Sequence, residues 1–600
     1  MRRDYRKNKL FNRRTVILNG IRTFLSAILV TRLGYLQLGK KHKEFSTRSD
    51  KNRIKTIIQP AQRGVIFDRN KKPLVLNRKN YRLLVYLENK SNIKNTIKKL
   101  VEILNFDKKE EEKLFKRIAN SKRKTIVSLI DNLSWSDLSK VEVNAYKLPE
   151  LSIESAPVRY YNFPLETAHL IGYVSLPSER EIEKENQKLF LHPNFRIGKS
   201  GIEKSFDKYL RGKFGIKYSE VNAFGLPLRD ISQIPSIDGK DLTLTINLEL
   251  QKFIYEKISQ LTASVVVMDV NTGEILALNS SPSFDINNFV EGFSEEYWQE
   301  LTSNEGKPLN NKPLSANYPP GSVFKLMVAL AALENGWNPR KKVNCSGKHR
   351  FGKRTFHCWK EGGHGSLDMD DAIKHSCNIY FFNLAQELGI DKITQMAKKF
   401  GYGQAFDIDL QEVNPAPLPN NDWKRKVFKK SWVGGDTLNA AIGQGFMLAS
   451  PIQIAVATSR IANGGIAISP HLVKNANSYD QFEQLKNTPL IDTKYLEYVK
   501  NGMNKVVNEK GGTAYYSRIR DKHFQMAGKT GTSQVISKRE KDMSEAELKK
   551  NQNHAIFTAF APVKKPRYAI SVVVEHGGGG AKTAAPLAKE ILQEVRKLSS

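Results

Sequence analysis

Cysteine is scarce in this chain of 600 residues: three occur, Cys345, Cys358 and Cys377. A small, odd number excludes a fold stapled by a disulfide framework. Acidic residues are in deficit too, 61 against 95 basic ones, leaving a formal net charge of +34. Such a chain suits an anionic partner: nucleic acid, an anionic membrane surface or an anionic wall polymer. The motifs that focus charge on nucleic acid are missing. There is no helix-turn-helix, zinc-finger array or aromatic RNA-binding strand, so no nucleic acid is expected. The excess charge is equally readable as a solvated, lysine-rich surface. Internal repeats are absent, and there is a single long apolar run. Core material is ample, with 40% hydrophobic and 9% aromatic residues, which excludes a disordered chain. The length predicts two or more domains.

The apolar run is Thr15–Leu38, preceded by Arg2, Arg3, Arg6, Lys7, Lys9, Arg13 and Arg14 against Asp4 alone. A basic flank before an apolar run predicts a span with its N-terminus in the cytoplasm. No small-residue cleavage site follows, which favours an uncleaved anchor over a signal peptide. Arg22 sits mid-run, where a charge is costly, and is best tolerated against a partner helix in the membrane. Arg32 can snorkel to the interface. The competing reading is a buried soluble helix.

Residues 39 to about 60 read as a polar, basic linker. From there to about 235, short strand-like runs (Thr56–Arg69, Tyr81–Leu87) alternate with charged helical segments such as Ile93–Ile118. At Asp241 the texture changes: DLTLTINLELQ predicts a strand running into a helix. SVVVMDVNTGEILALNSS predicts a hairpin turning at Asn271-Thr272-Gly273. Helices are expected to dominate until about residue 515. Strands then return at Phe524–Val535, His554–Pro562 and Arg567–His576, and a helix follows Ala584. Strands at both ends around a helical middle predict an α+β domain, one sheet with helices packed on it. The charged stretch Ser537–Asn553 is expected to be a mobile loop.

Three short motifs carry chemistry. YPPGSVFK holds Ser322 and Lys325 three apart. Pro319-Pro320-Gly321 breaks the preceding chain, so Ser322 is expected to open a helix with Lys325 one turn on, on the same face. A serine hydroxyl needs a neighbour to take its proton, and a desolvated lysine can do so. The backbone N–H at the helix start can stabilise an oxyanion. The spacing alone is weak, because Ser121 with Lys124 and Ser205 with Lys208 repeat it. HSCN places Ser376 and Asn378 two apart, on one side of an extended or loop segment. GKTGT (Gly528–Thr532) lies in a strand-like run, with Lys529 as a cation and Thr530 and Thr532 as hydroxyls. Gly531 admits a second backbone, as at a sheet edge that accepts a peptide. A phosphate loop is excluded because His523 stands where that motif needs glycine. Together and in this order, the three motifs are those of β-lactamases and penicillin-binding proteins.

On these motifs the chain resembles the class B penicillin-binding proteins, in particular the penicillin-binding protein 2 family of elongation D,D-transpeptidases. Flanking stretches extend the resemblance: VVVMDVNTGEILAL, AAIGQGFMLASPIQIA, HAIFTAFAP and VVVEHGGGG. So do RGVIFDRN, RYYNFPLETAHLIGYV and GKSGIEKSFDKYLRGKFG in the N-terminal half, which are similar to the family's pedestal. The resemblance implies an α+β architecture in four parts. These are a cytoplasmic tail (1–14), a transmembrane anchor (15–38), an elongated pedestal of the dimerisation type (39–235) and a transpeptidase domain (240–600). It implies a single-pass protein of the inner membrane with its catalytic domain in the periplasm.

It also implies roles. Ser322 attacks the carbonyl between the terminal D-alanines of a peptidoglycan stem peptide, and Lys325 takes its proton. Ser376 relays a proton to the leaving D-alanine beside Lys529. The N–H groups of Ser322 and Thr532 form the oxyanion hole. Thr530 and Thr532 hold the terminal carboxylate, with Gly531 between them, and Asn378 holds the amide. A second strand's amine then resolves the acyl-enzyme, and β-lactams acylate the same serine. Implied partners are stem peptides on lipid-linked or nascent glycan strands, a RodA-type glycosyltransferase, an MreC-type scaffold and the membrane. Rival functions are a D,D-carboxypeptidase or β-lactamase, and a β-lactam sensor or scaffold. Against a sensor, only about 14 residues precede the anchor.

The chemistry requires no cofactor, but the cysteines allow a structural one. Cys345, Cys358, His364 and Cys377 follow the spacing C-x12-C-x5-H-x12-C. Three thiolates and an imidazole make a tetrahedral zinc set, with Cys377 pointing away from the active site and His349 and His357 as substitutes. A Cys345–Cys358 disulfide, or three unrelated cysteines, remain open.

Overall fold

The computed structural model describes residues 2–38, 54–59, 61–87, 93–119, 126–185, 195–221, 227–410, 413–474, 489–534 and 551–599. Most of the expected loop Ser537–Asn553 falls outside them. The chain forms two units, one from residues 1–61 and 212–238, the other from 62–211 and 239–600.

In the first unit a helix runs from Arg2 to Leu38, so the residues expected as a tail are helical from Arg2 onward. Its apolar part, Asn12–Gln37, is 26 residues long and exposed. At about 1.5 Å per residue it rises about 39 Å, enough to cross a hydrocarbon core of about 30 Å. Among the described residues it is the one helix long and apolar enough to do so. A three-stranded antiparallel sheet joins Ile54–Gln59, Gly215–Val221 and Pro227–Ile234. The reading of 39–60 as linker therefore fails at Ile54–Gln59: IKTIIQ is rich in β-branched residues and takes a strand partner more than 150 residues on.

In the second unit, strands Ile66–Phe67, Pro73–Tyr86, Ile126–Ile130, Leu151–Tyr161 and Leu242–Thr243 form one sheet. A buried ionic knot ties its strands together. Glu203 is fully buried and accepts from Arg63 Nε and Arg159 Nε, each at 2.6 Å. Arg63 reaches Asp207 at 2.9 Å, and Arg159 reaches Asn77 at 3.1 Å. Burial alone would push the Glu203 carboxyl up, and the two guanidiniums overrule it and hold it below the usual range. Removing Glu203 takes the carboxylate from buried Arg159 and leaves Arg63 with Asp207 alone. Glu203→Ala is expected to lower unfolding stability by about 3–5 kcal/mol, read as a lower urea midpoint at unchanged slope.

The larger part of this unit begins with helix α1 (Leu248–Ile258) and the hairpin β1 (Ala263–Asp269) and β2 (Ile275–Ser281). Helices α2 (Lys325–Glu334), α3 (Met369–Lys374), α4 (Asn378–Lys399, broken at Gly389), α5 (Pro451–Ala462) and α6 (Thr493–Asn508) follow. Strands β3 (Ala527–Ser533), β4 (His554–Ala561) and β5 (Tyr568–Val574) and helix α7 (Ala584–Ser599) end the chain. The sheet is antiparallel in the order β2-β1-β5-β4-β3. Its central strands are buried on both faces, which is why they read as continuous apolar runs such as Val265-Val266-Val267. Helices α5 and α7 both pack on β4 and β5, and α1 packs beside α7. The hairpin turns as expected, with Gly273 at φ 82° and the Asp269 carboxylate accepting from Asn271 and Thr272 N–H. The fold is thus α+β, with an apolar N-terminal helix and an antiparallel sheet flanked by helices.

The expected helical middle contains four short strands: Val343–Cys345 paired with Gly365–Leu367, and Lys348–Phe351 paired with Arg354–His357. Three- and four-residue strands are too short to show periodicity, so pairing alone reveals them.

Candidate active site

Ser322 lies in a single 3-10 turn, Gly321–Phe324, and α-helical geometry starts only at Lys325. Gly321 takes φ 56°, a left-handed step that postpones the helix expected to open at Ser322. The tighter turn of about three residues still stacks position i over i+3. The turn presses on β3: a Cβ on Gly321 would lie 2.9 Å from the Thr532 carbonyl oxygen, and one on Gly531 2.9 Å from that of Pro320. Both glycines exist for this approach. Among the described residues β3 pairs with β4 alone, which leaves its other edge open beside Ser322.

Two buried lysines converge on one hydroxyl. Lys529 Nζ donates to Ser376 Oγ at 2.9 Å. Lys325 Nζ lies 3.3 Å from the same oxygen, 2.9 Å from the Ser376 carbonyl and 2.7 Å from Asn378 Oδ1. Both side chains are fully buried. Burial pushes Lys325 down to about 8. Burial, and then the neighbouring Lys325, push Lys529 well below its usual value. Ser322 Oγ enters none of these bonds.

Of the two readings the spacing left open, an extended segment or a loop, the structure takes the loop. Ser376 occupies the turn between α3 and α4 at φ 54°, a strained position for a residue with a side chain. Asn378 opens α4 and also donates from Nδ2 to the His357 carbonyl at 3.1 Å. The turn, not strand alternation, sends both side chains to Lys325. On β3, alternation puts Lys529 and Gly531 on one face and Thr530 and Thr532 on the other. Thr530 Oγ1 meets Thr513 Oγ1 at 2.8 Å, while Thr532 is exposed.

Two neighbours had no motif. Trp359, 59% exposed, donates from its indole to the carbonyls of His375 and Ser376 at 3.1 and 3.2 Å. Thr513 is reached only through the fold.

Cys345, Cys358, His364 and Cys377 bring their donor atoms within 4.8 Å of one another, and all three cysteines are free thiols. The Cys345–Cys358 disulfide is therefore not formed, and His349 and His357 lie outside the cluster. His364 Nδ1 lies 3.6 Å from Cys345 Sγ and 3.5 Å from Cys358 Sγ. The Cys358 thiol is drawn down, chiefly by its hydrogen bond with Cys377, with help from the N–H groups of Lys360 and Asn378. The Cys377 thiol is pushed up for the same reason.

Residues 263–593 match the penicillin-binding protein transpeptidase domain, and residues 58–244 match the penicillin-binding protein dimerisation domain. The chain belongs to the penicillin-binding protein transpeptidase family. Within it, similarity over nearly the full length is to the peptidoglycan D,D-transpeptidases MrdA. The Haemophilus influenzae protein is 35% identical, over 98% of this chain and 92% of its own. That of Escherichia coli is 33% identical, over 99% and 95%. Among solved structures, penicillin-binding protein 2 of Helicobacter pylori in complex with MreC covers 91% of this chain and 99% of its own, at TM-score 0.78 and 31% identity. Penicillin-binding protein 2 of Pseudomonas aeruginosa covers 90% and 96%, at TM-score 0.66 and 28% identity.

Proposed function

We propose that the chain is a serine-type peptidoglycan D,D-transpeptidase of wall elongation, acylated at Ser322 and inhibited there by β-lactams. One observation carries the reading: Ser376 Oγ sits between the buried amines of Lys325 and Lys529, beside the Ser322 turn and an open sheet edge. A neutral Lys325 amine takes the Ser322 proton as Oγ attacks the carbonyl between the terminal D-alanines. The N–H groups of Ser322 and Thr532 stabilise the oxyanion. Ser376, held by Lys529, passes a proton to the departing D-alanine amine and takes one back from the Lys325 ammonium. Thr530 and Thr532, flanking Gly531, receive the terminal carboxylate, and Asn378 receives the amide. A stem-peptide amine from a second strand then displaces Ser322 and forms the cross-link. The direct test supplies a pentapeptide donor with and without an acceptor strand. Cross-linked product with matching D-alanine release is expected. D-Alanine release that never yields a cross-link would make the chain a carboxypeptidase.

The remaining assignments belong to the same reading. Residues 1–14 form a cytoplasmic tail, 15–38 the span, 39–235 the pedestal and 240–600 the periplasmic transpeptidase domain. An MreC-type scaffold engages the pedestal, and a RodA-type glycosyltransferase supplies glycan strands; the Helicobacter pylori complex supports MreC as a partner.

Cys345, Cys358, His364 and Cys377 hold a structural zinc. A tetrahedron with Zn–S of about 2.3 Å and Zn–N of about 2.0–2.1 Å has S–N edges of about 3.5 Å, which the two measured separations match. The metal would brace the strands around Cys345 and Cys358 against the turn carrying Ser376. Purified protein is expected to contain one zinc per chain, and Cys358→Ala less than a tenth of that. Metal-free unmodified protein would end the idea.

A further inference from the structure

Ser376 sits between the two lysines only because its backbone holds an unfavourable conformation. Its φ of 54° is left-handed, and a residue with a side chain stays there only where its surroundings over-determine it. Part of the restraint is local. The N–H groups of Ser376 and Cys377 donate to the carbonyls of Ile373 and Ala372 at 3.2 and 3.0 Å. The rest converges on the Ser376 carbonyl oxygen, which has two lone pairs to offer. Lys325 Nζ meets it at 2.9 Å, and the indole N–H of Trp359 meets it at 3.2 Å while also reaching the His375 carbonyl at 3.1 Å.

Trp359 is 59% exposed, so burial does not hold its ring there. Its neighbours do. Cys358, just before it, donates its N–H to the Gly347 carbonyl at 2.9 Å. The indole stands edge-on to His364 at 5.2 Å between ring centres, and His364 stacks on His375 at 5.8 Å. The indole thus ties the strand ending at His357 to the turn between α3 and α4 through its one donor atom.

The turn in turn sets the amine. A neutral Lys325 amine has two hydrogens, and its closest acceptors are Asn378 Oδ1 at 2.7 Å and the Ser376 carbonyl at 2.9 Å. With both engaged, the third position of the nitrogen is left for the Ser322 proton and for handing it on to Ser376 Oγ, 3.3 Å away. Were the Ser376 carbonyl to swing out, the amine would lose the acceptor that orients it. Ser376 Oγ would leave its place between Lys325 and Lys529. We propose that Trp359 is a positioning residue, whose indole N–H locks the left-handed Ser376 turn and so aligns the Lys325 amine for proton transfer. The proposal deepens the transpeptidase reading and rests on it for the proton's path, while the lock itself can be measured without turnover.

The test uses the full-length chain with Trp359 replaced by 3-benzothienylalanine, which keeps the bicyclic shape and puts sulfur where the N–H was. Stopped-flow acylation across a range of penicillin concentrations separates the dissociation constant of the noncovalent complex from the acylation rate constant. Loss of one hydrogen bond is expected to lower the rate constant about tenfold, with the dissociation constant within twofold of the unmodified chain. Hydrogen exchange, read by mass spectrometry on the peptide 372–378, is expected to run about tenfold faster. Trp359→Phe, a ring that also lacks the donor, should show the same pattern and serves if the analogue-bearing chain does not fold. An unchanged acylation rate constant would overturn the proposal, and so would unchanged exchange in the peptide. A raised dissociation constant at an unchanged rate constant would also overturn it, making the exposed ring a wall for the ligand and nothing more. Failure of the unmodified chain to take up penicillin would count against the Ser322 reading, and exchange in the peptide would then decide by itself whether Trp359 locks the turn.

Discussion

A chain carrying Ser322→Ala is expected to take up no fluorescent penicillin and to form no cross-links, with turnover reduced on the order of 10⁶-fold. The size follows from what remains when the oxygen is removed. In the proposed mechanism Lys325, Ser376 and Lys529 are left as a proton-transfer set with no atom to attack, so the rest of the site cannot express its contribution, and losses in such a set are non-additive. A methyl in place of a hydroxymethyl is tolerated in a 3-10 turn, and Ser322 Oγ makes no bond to Lys325, Ser376 or Lys529 that the substitution would break. The variant should therefore unfold at an unchanged temperature. Gel fluorescence after incubation with a labelled penicillin reads the first expectation, and thermal unfolding the second. Retained labelling in Ser322→Ala would move the nucleophile elsewhere. A lower unfolding temperature would mean the hydroxyl has a structural role that the geometry does not reveal.

Much of this site was legible because its parts are local. Ser322 and Lys325 are three residues apart, Ser376 and Asn378 two apart, and Lys529 to Thr532 are contiguous, so each motif reports its own turn or strand. The conformation of Ser376 was not legible. Spacing left an extended segment or a loop open; the chain turns sharply between α3 and α4, and the position takes a left-handed backbone that propensity disfavours. Tertiary packing decided it. The four short strands between Val343 and Leu367 were hidden for a related reason, since their pairing is stronger evidence than any pattern of three or four residues. The strand Ile54–Gln59 was masked by its polar, basic neighbours. The cysteine cluster was the opposite case: one odd spacing singled out four residues, and the fold brought those four together and left His349 and His357 aside.

Lys325→Ala is expected to slow acylation by penicillin about 10³-fold, within the range for removing a general base, and to change its pH dependence. In the proposed mechanism the base is the neutral amine. Below its pKa Lys325 is protonated and cannot accept, so the acylation rate should rise about tenfold per pH unit and level off above about 8, the value to which burial lowers the amine. Lys529 works in the same direction: its ammonium and that of Lys325 would face one Ser376 oxygen in a dry site, so charge on one disfavours charge on the other. Lys325→Arg separates basicity from charge. A guanidinium keeps the positive charge and can still donate towards Asn378, but it does not deprotonate in this range. It should be as slow as alanine at every pH from 6 to 9 if Lys325 acts as the base. If positive charge beside Ser376 were what mattered, arginine would restore much of the rate and the unmodified chain would lose activity, rather than gain it, as pH rises through 8. Stopped-flow acylation of the three proteins across that range decides between the two, because the slopes have opposite signs.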